Sequence, residues 1–284
     1  MKLDRRGFVL GSAALLAARP SLAATDKFTA LEARHGGRLG VAALDTSTGN
    51  RMAHRADERF PMCSTFKLLA VAGVLHNVDT GNERLDRWVQ YGPADLIAHA
   101  PVTSRFVARG GMIVSDLCGA AIEYGDNTAA NLLLAALGGS SGATNYVRSL
   151  GDTVTRIDRT EPSANTCIPG DPRDTTTPSA MLADLNKLAQ GGALSDNSQN
   201  LLTGWLGNCQ TAAARIPAGL PRGWTSGDKT GSGANATAND VAIVNPPGRA
   251  PIFVAAYYTG SSASESEQDA VLADVGRTVC AAFA

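Results

Sequence analysis

The chain has 284 residues, of which 44% are hydrophobic and 18% are charged, a composition typical of a soluble globular protein with a sizeable core. The formal net charge is -1, so we expect neither the basic surface that binds nucleic acid nor a charge run that binds a membrane. Histidines are scarce and the five cysteines have no CxxC spacing, so the sequence predicts no metal site and no cofactor.

The first 24 residues are typical of an export signal. A positive region at residues 2–6 precedes an apolar stretch, 8–18, that is too short to span a bilayer, and small residues at 21–24 suit cleavage. Arg5-Arg6-Gly7-Phe8 also resembles a twin-arginine signal. A core helix is the alternative interpretation. We expect an exported protein, periplasmic or secreted, that is free of the membrane once the signal is cleaved.

Both helices and strands are predicted after the export signal. Residues 25–34 predict a helix, residues 38–45 predict a strand, and turn residues at 47–50 favour a hairpin with residues 51–55. The region from about 64 to 205 is predicted to be mostly helical. Apolar residues at helical spacing predict four helices within it, at 66–76, 114–124, 128–137 and 178–190.

The carboxyl-terminal part of the chain returns to strand patterns. Pro178 suits the first turn of the predicted helix at 178–190, with Thr177 as a candidate cap. Strands are then predicted at 223–229, 240–245 and 252–258, and a last helix is predicted at 265–282.

Strands at both ends of the chain with helices between them predict an α/β (α+β) fold. We expect an antiparallel sheet flanked by terminal helices, together with an inserted all-helical domain. The α/β domain is placed at 25–58 and 210–284, and the helical domain at 59–209 with a long polar loop at about 158–174. A cleft between the two domains is the expected place for a ligand.

Ser64-Thr65-Phe66-Lys67 places a serine and a lysine at the predicted start of a helix, on the same face. A serine hydroxyl is a poor nucleophile until a base takes its proton, and a lysine in a cleft beside another cation can lose its charge and serve as that base. An ordinary surface helix start is the alternative interpretation. Residues 226–229 repeat the spacing, but they lie in a predicted strand, where positions i and i+3 point to opposite faces.

Three further segments carry polar groups suited to a site. Lys229-Thr230-Gly231-Ser232 puts a cation and hydroxyls on a strand with small neighbours, although a glycine-rich turn would look alike. Gly125-Asp126-Asn127 precedes a helix and is equally consistent with a helix cap. In the polar loop, Glu161 with Asn165 suits the activation of a water, and Arg159 with Asp174 suits an ion pair at the loop ends. A solvated loop is the alternative there.

In this order and spacing, the segments resemble the class A β-lactamases over essentially all of the mature chain. Ser-x-x-Lys, Ser-Asp-Asn and Lys-Thr-Gly are signatures of that family and of penicillin-binding proteins, and this chain matches them except for the serine of the second motif. The loop segments Arg-x-Glu-Pro-x-x-x-Asn and Pro-Gly-Asp-Pro-Arg-Asp-Thr-Thr-Thr-Pro are similar to the family's omega loop. The resemblance implies hydrolysis of small-molecule β-lactam antibiotics, penicillins or cephalosporins, by a monomer.

The resemblance also implies a role for each site residue. Ser64 is the nucleophile, Lys67 or Glu161 takes its proton, and Glu161 with Asn165 activates the deacylating water. The remaining implied roles are an oxyanion hole from the N–H groups of Ser64 and Ser232, a carboxylate site from Lys229, Thr230, Gly231, Ser232 and Arg215, an acyl-amide contact from Asn127, a position beside the cleft for His99, and structural roles for Arg159, Asp174 and Asp126.

The sequence departs from the family pattern where the proton is delivered to the leaving nitrogen. Gly125 stands where the family has a serine whose hydroxyl relays that proton, so reduced but real turnover is expected. An acyl-trapping sensor is therefore one alternative function, and a peptidoglycan transpeptidase or carboxypeptidase is another, although Glu161 and Asn165 argue against the latter. Cys63 has a family partner position at Gly233, so that family disulfide cannot form, and most cysteines are expected to be small buried side chains.

Overall fold

A computed structural model describes residues 22–284 of the chain. The predicted export signal, residues 1–24, lies almost entirely outside the described residues. Within the described range, none of the helices combines the length and the apolar character needed to cross a membrane.

The predicted helices and strands are present in the predicted order, and further elements that were not predicted lie between them. The helices are α1 (Leu22–His35), α2 (Phe66–Asp79), α3 (Thr103–Phe106), α4 (Val114–Glu123), α5 (Asn127–Ala136), α6 (Gly139–Ser149), α7 (Pro178–Ala189), α8 (Asp196–Gly207) and α9 (Glu265–Phe283). The strands are β1 (Gly36–Asp45), β2 (Arg51–His54), β3 (Phe60–Pro61), β4 (Trp88–Gln90), β5 (Gly111–Ile113), β6 (Thr175–Thr176), β7 (Thr225–Gly233), β8 (Thr237–Asn245) and β9 (Ile252–Ser261).

The main sheet has five antiparallel strands in the order β2-β1-β9-β8-β7. Strand β9 shows that both faces of the sheet are covered, because its apolar side chains follow one another continuously rather than alternating with polar ones. Ile252 and Val254 join the core formed with α1 and α9, whereas Phe253 and Ala255 join the core formed with the inserted helices. Strand β7 is left at the edge of the sheet, where its backbone is open to a ligand.

Helix α2 lies at the centre of the helical domain. Every residue from Phe66 to Leu75 is buried, so the helix is enclosed on all sides rather than on one stripe. Lys67 is one of these residues and is 0% exposed. A cation in such a position must be paired or hydrogen-bonded to remain charged, so the fold itself requires polar partners around Lys67.

The predicted fold class is confirmed, as an antiparallel sheet with terminal helices on one face and an inserted helical domain. Thr177 accepts a hydrogen bond from the Ala180 N–H at the start of α7, which is the predicted cap. Helices α6 and α8 were not singled out, because glycine, serine and asparagine interrupt their apolar patterns. Strand β7 runs through Gly233 rather than ending at Lys229, so the whole Lys-Thr-Gly segment lies on it.

Candidate active site

The predicted site residues converge on one cleft between the sheet edge and the helical domain. The cavity has a volume of about 440 Å³. Its lining residues are Ser64, His99, Gly125, Asn127, Asn165, Thr211, Arg215, Lys229, Thr230, Gly231, Ser232, Glu265 and Asp269. A larger cleft of about 790 Å³ lies on the outer side of the 158–174 loop and contains none of the predicted site residues. The predicted catalytic side chains therefore identify the smaller cleft as the candidate active site.

Ser64 lies in a single 3₁₀ turn, Cys63–Thr65, that leads directly into α2. Its Oγ donates a hydrogen bond to Glu161 Oε1 at 3.0 Å. The turn is fixed to the sheet because Asn239 Nδ2 in β8 donates to the carbonyl oxygen of Met62 at 3.0 Å. The nucleophile is therefore held between two rigid elements.

Lys67 lies one turn from Ser64 and is surrounded by acceptors. Its Nζ donates to Asn127 Oδ1 at 2.6 Å and to the Gly125 carbonyl at 2.7 Å, and it lies 3.1 Å from Glu161 Oε1. Burial lowers the pKa of Lys67, while the neighbouring Glu161 carboxylate acts in the opposite direction. A lysine in this environment is more easily deprotonated than a lysine in water.

Glu161 is presented to the cleft by hydrogen bonds at both its side chain and its backbone. Asn165 Nδ2 donates to Glu161 Oε2 at 2.5 Å, which leaves Oε1 for Ser64 and Lys67. Asn131 in α5 exchanges two hydrogen bonds with the Glu161 backbone, each 2.9 Å long. The carboxylate is thereby preorganised, with one oxygen on the asparagine and the other on the serine and lysine.

The ends of the loop are joined as the sequence predicts. Arg159 Nε lies 2.5 Å from Asp174 Oδ2 in a partly buried ion pair. Asp174 Oδ1 also accepts hydrogen bonds from the N–H groups of Asp158 and Arg159, at 2.8 and 2.9 Å. These contacts close the loop and fix the entry of the segment that carries Glu161. We call residues 158–174 the omega loop below.

Lys229 is the second cation of the site and points inward from the edge strand β7. It is 0% exposed, and its Nζ donates to the Thr230 carbonyl at 3.0 Å. Burial and the nearby charge of Lys67 lower the pKa of Lys229 to about 7. Thr230 Oγ1 lies 2.5 Å from Thr211 Oγ1, so a second threonine adjoins the Lys-Thr-Gly segment.

Arg215 lines the cleft, but its guanidinium is held by hydrogen bonds to the strand and by an ion pair rather than being free. Its guanidinium donates to the Gly231 carbonyl at 2.9 Å and to Ser232 Oγ at 2.6 Å, and it pairs with Asp269 at 2.8 Å. Arg215 is 5% exposed. Its contacts orient the Ser232 hydroxyl and bring positive charge to the edge of β7.

The Gly-Asp-Asn segment combines a cap with two cleft residues. Asp126 is buried and accepts hydrogen bonds from the N–H of Ala129 at 2.9 Å and from Thr103, so its contacts are structural. Asn127 Nδ2 donates to the Ala98 carbonyl at 2.9 Å, and its Oδ1 faces Lys67. The segment thus anchors α5 while turning its polar groups toward the cleft.

Gly125 leaves a space between two side chains. A β-carbon at this position would lie 3.6 Å from His99 Nε2 and 3.9 Å from Lys229 Nζ, which is ordinary van der Waals contact. The φ angle of +68° favours glycine, so a larger residue would fit the space but strain the backbone. His99 borders this gap, as expected, with Nε2 3.1 Å from the Tyr124 carbonyl oxygen.

Three contributing residues were missed in the sequence. Asn131 follows Asn127 by four positions on α5, and this helical spacing was a usable signal. Thr211 and Asn239 come from distant parts of the chain, and no local pattern marks either one. In residues 22–284, no group of three or more potential metal ligands lies together.

The arrangement is suited to nucleophilic acyl transfer. The Ser64 hydroxyl donates a hydrogen bond to the Glu161 carboxylate, which the buried Lys67 also contacts. A second lysine, Lys229, lies with hydroxyl groups on the adjoining strand β7. Such a constellation can activate a nucleophile, hold an anionic substrate group and then activate water.

Comparison with known proteins agrees with this geometry. A family model described as "Beta-lactamase enzyme family" matches residues 23–283. The chain is 47% identical to β-lactamase CTX-M-25 of Escherichia coli over 89% of this chain and 87% of that one. It is 48% identical to β-lactamase AST-1 of Nocardia asteroides over 91% of this chain and 83% of that one.

The solved structures agree with the sequence relatives. An ancestral class A β-lactamase superposes with a TM-score of 0.90 at 55% identity, over 92% of this chain and 100% of that one. The family match spans the whole described fold, including the cleft and its lining residues. The chain therefore belongs to the β-lactamase enzyme family, as a class A serine β-lactamase.

Proposed function

We propose that this β-lactamase hydrolyses penicillins and cephalosporins through an acyl-enzyme on Ser64, which Glu161 and Asn165 then deacylate. The observation that carries this proposal is the hydrogen-bonded cluster in which Ser64 Oγ and Lys67 Nζ share Glu161 Oε1, at 3.0 and 3.1 Å. A penicillin-binding enzyme would need the nucleophile and lysine but not a carboxylate positioned to activate water.

Acylation begins when Ser64 Oγ attacks the lactam carbonyl carbon. The serine proton passes to Lys67, either directly or by way of Glu161 Oε1, which both side chains contact, and Lys67 then gives a proton toward the leaving nitrogen. The N–H groups of Ser64 and Ser232 stabilise the oxyanion, an interaction that typically contributes about 3 kcal/mol per donor. Deacylation repeats the proton transfer with a water that Glu161 and Asn165 orient.

Substrate binding uses the edge strand. We assign the substrate carboxylate to Lys229, Thr230 and Ser232, and the acyl amide to Asn127. Gly231 lets the edge strand pack closely against the turn that carries Ser64, because a β-carbon there would lie 2.7 Å from the Met62 carbonyl oxygen and would shift the turn. Arg215 acts through Ser232, whose hydroxyl it orients.

The cationic form of Lys229 makes substrate capture pH-dependent. Because the pKa of Lys229 is about 7, the side chain is charged below that pH and loses its charge above it. We expect kcat/KM for a carboxylate-bearing cephalosporin to fall above about pH 7. Measured kcat/KM profiles of the wild type and of Lys229→Arg test this, because arginine keeps its charge. An alkaline limb near pH 7 that persists in Lys229→Arg would assign the titration to another group.

Because Gly125 has no side chain to relay a proton, we assign delivery of the proton to the leaving nitrogen to a water in the space beside Lys67 and Lys229. We expect Gly125→Ser to acylate at least ~10-fold faster than Gly125→Ala, because a positioned hydroxyl supplies general acid catalysis. The alanine variant is the matched control, since both residues meet the same φ of +68°. Stopped-flow acylation rates decide the matter, and equal rates would show that another group already delivers the proton.

The direct test is hydrolysis of a chromogenic cephalosporin by the purified protein, followed by intact-mass measurement. Rapid turnover with a transient adduct is expected. A persistent adduct without turnover would instead support the acyl-trapping sensor that Gly125 suggests. We also propose that the protein is exported by way of residues 1–24 and acts as a monomer, to be tested by fractionation and by light scattering.

A further inference from the structure

Two cysteine sulfurs lie side by side next to the nucleophile turn. Cys63 Sγ and Cys167 Sγ are 3.3 Å apart, although 104 positions separate the residues in sequence. Cys63 immediately precedes Ser64, and Cys167 follows Asn165 by two residues in the omega loop. Both side chains are buried thiols. A disulfide has an S–S length of about 2.0 Å, so small side-chain rotations bring these atoms to bonding distance.

Gly233 makes room for the pair. A β-carbon at position 233 would lie 2.7 Å from Cys63 Sγ and 2.7 Å from Cys167 Sγ. Both distances are shorter than van der Waals contact, so any side chain at 233 would displace the sulfurs. The glycine that removes the family partner of Cys63 therefore opens the space in which Cys167 takes its place.

Cys167 is the cysteine of the pair that lies next to an open cleft. It lines the cleft of about 790 Å³ on the outer side of the omega loop, whereas Cys63 does not. The hydrogen bond from Cys63 holds the pKa of the Cys167 thiol below its usual value, and the same contact together with burial raises the pKa of Cys63. Thiolate forms first at Cys167, next to the open cleft.

We propose that Cys63 and Cys167 form a disulfide bond under oxidising conditions, and that this bond ties the omega loop to the nucleophile turn. A small-molecule disulfide such as oxidised glutathione is the oxidant. The Cys167 thiolate attacks one of its sulfurs and releases one thiolate. Cys63 then loses its proton to solvent, attacks Cys167 Sγ and releases the second thiolate. Two protein thiols are oxidised and one small disulfide is reduced to two thiols.

Bond formation involves no β-lactam chemistry, so it is tested independently of the proposed function. The purified full chain is incubated with oxidised glutathione or with a reductant, alkylated under denaturing conditions and digested. In the oxidised sample we expect one cross-linked peptide pair joining Cys63 to Cys167, with the other three of the five cysteines alkylated. Alkylation of Cys63 and Cys167 in both samples, or a cross-link to Cys118, would overturn the proposal.

The bond has a mechanical consequence as well. Because it closes a loop of about a hundred residues, we expect the oxidised protein to melt roughly 10 °C above the reduced protein. We also expect slower amide hydrogen exchange in residues 163–167 after oxidation. Equal melting temperatures and equal exchange in the two states would contradict the tether.

Matched variants assign the effect to this pair. Cys167→Ser removes the partner of Cys63 and should abolish the redox-dependent shift in melting temperature. Cys280→Ala is the control, because Cys280 is as buried as Cys63, at 1% exposure, but belongs to the core formed with α9 on the other face of the sheet. The control should keep the full shift, and its loss there would show that the stabilisation comes from elsewhere.

Discussion

Glu161→Ala should accumulate a covalent β-lactam adduct that the wild-type enzyme clears. The carboxylate is the group placed to take a proton from water, and it is held for that purpose by Asn165 Nδ2 at 2.5 Å and by Asn131 at its backbone. A positioned general base contributes ~10²–10⁴-fold, so we expect deacylation to slow by about that factor. Acylation should slow less, because Lys67 remains within reach of the Ser64 turn.

Intact-mass spectrometry after mixing with a penicillin measures the adduct, and stopped-flow absorbance measures turnover. Asp171→Asn is the matched control, since Asp171 is a carboxylate of the same loop that pairs with Arg173 and lines the outer cleft rather than the cleft that contains Ser64. The control should turn over at the wild-type rate without an adduct. Undiminished deacylation in Glu161→Ala would show that another base activates the water.

Lys67→Ala should lose both activity and stability. Its Nζ donates hydrogen bonds to Asn127 Oδ1 and to the Gly125 carbonyl and pairs with Glu161 Oε1, all within 3.1 Å. The substitution therefore leaves these buried acceptors without their cation. Breaking a buried ion pair on one side typically costs about 3–5 kcal/mol of folding free energy. We expect kcat/KM to fall by ~10²–10⁴-fold, because the proton route from Ser64 is interrupted.

Lys67→Arg separates charge from proton transfer. Arginine keeps the positive charge but does not release its proton, so we expect it to remain inactive while recovering part of the stability. Lys187→Ala is the control: Lys187 donates to the Leu150 carbonyl away from the cleft, and its loss should leave kcat unchanged. An active Lys67→Arg enzyme would mean that the cation acts only through its charge.

Local patterns were enough to predict the fold class, whereas the residues of the cleft were assigned through the family resemblance. Apolar spacing predicted the core helices, and β-formers predicted β8 and β9, because these segments are buried along most of their length. Ser64 and Lys67 lie one turn apart, so their proximity was readable from four residues. The enclosure of these two residues could not be predicted from those four residues, because it depends on the whole of α2 being surrounded by other helices.

Contacts between distant segments mark the limit of sequence reasoning. Glu161 reaches Ser64 across 97 positions, and only the family pattern indicated that the omega loop returns to the nucleophile. Arg215 was expected to help bind the substrate carboxylate, and the partners that hold its guanidinium, Gly231 and Ser232 of β7 and Asp269 of α9, come from two segments that no local pattern connects. Cys167 carried no signal at all, because its partner lies 104 residues away and its space is created by a glycine.

The most direct measurement is to locate the acyl group during turnover. The wild type is mixed with a penicillin, quenched in acid at successive times, digested, and mapped by mass spectrometry. We predict an adduct on Ser64 that rises and then decays as substrate is consumed in the wild type, persists in Glu161→Ala and is absent from Ser64→Ala. An adduct on any other residue, or turnover by Ser64→Ala at the wild-type rate, would contradict the assignment of Ser64 as the nucleophile.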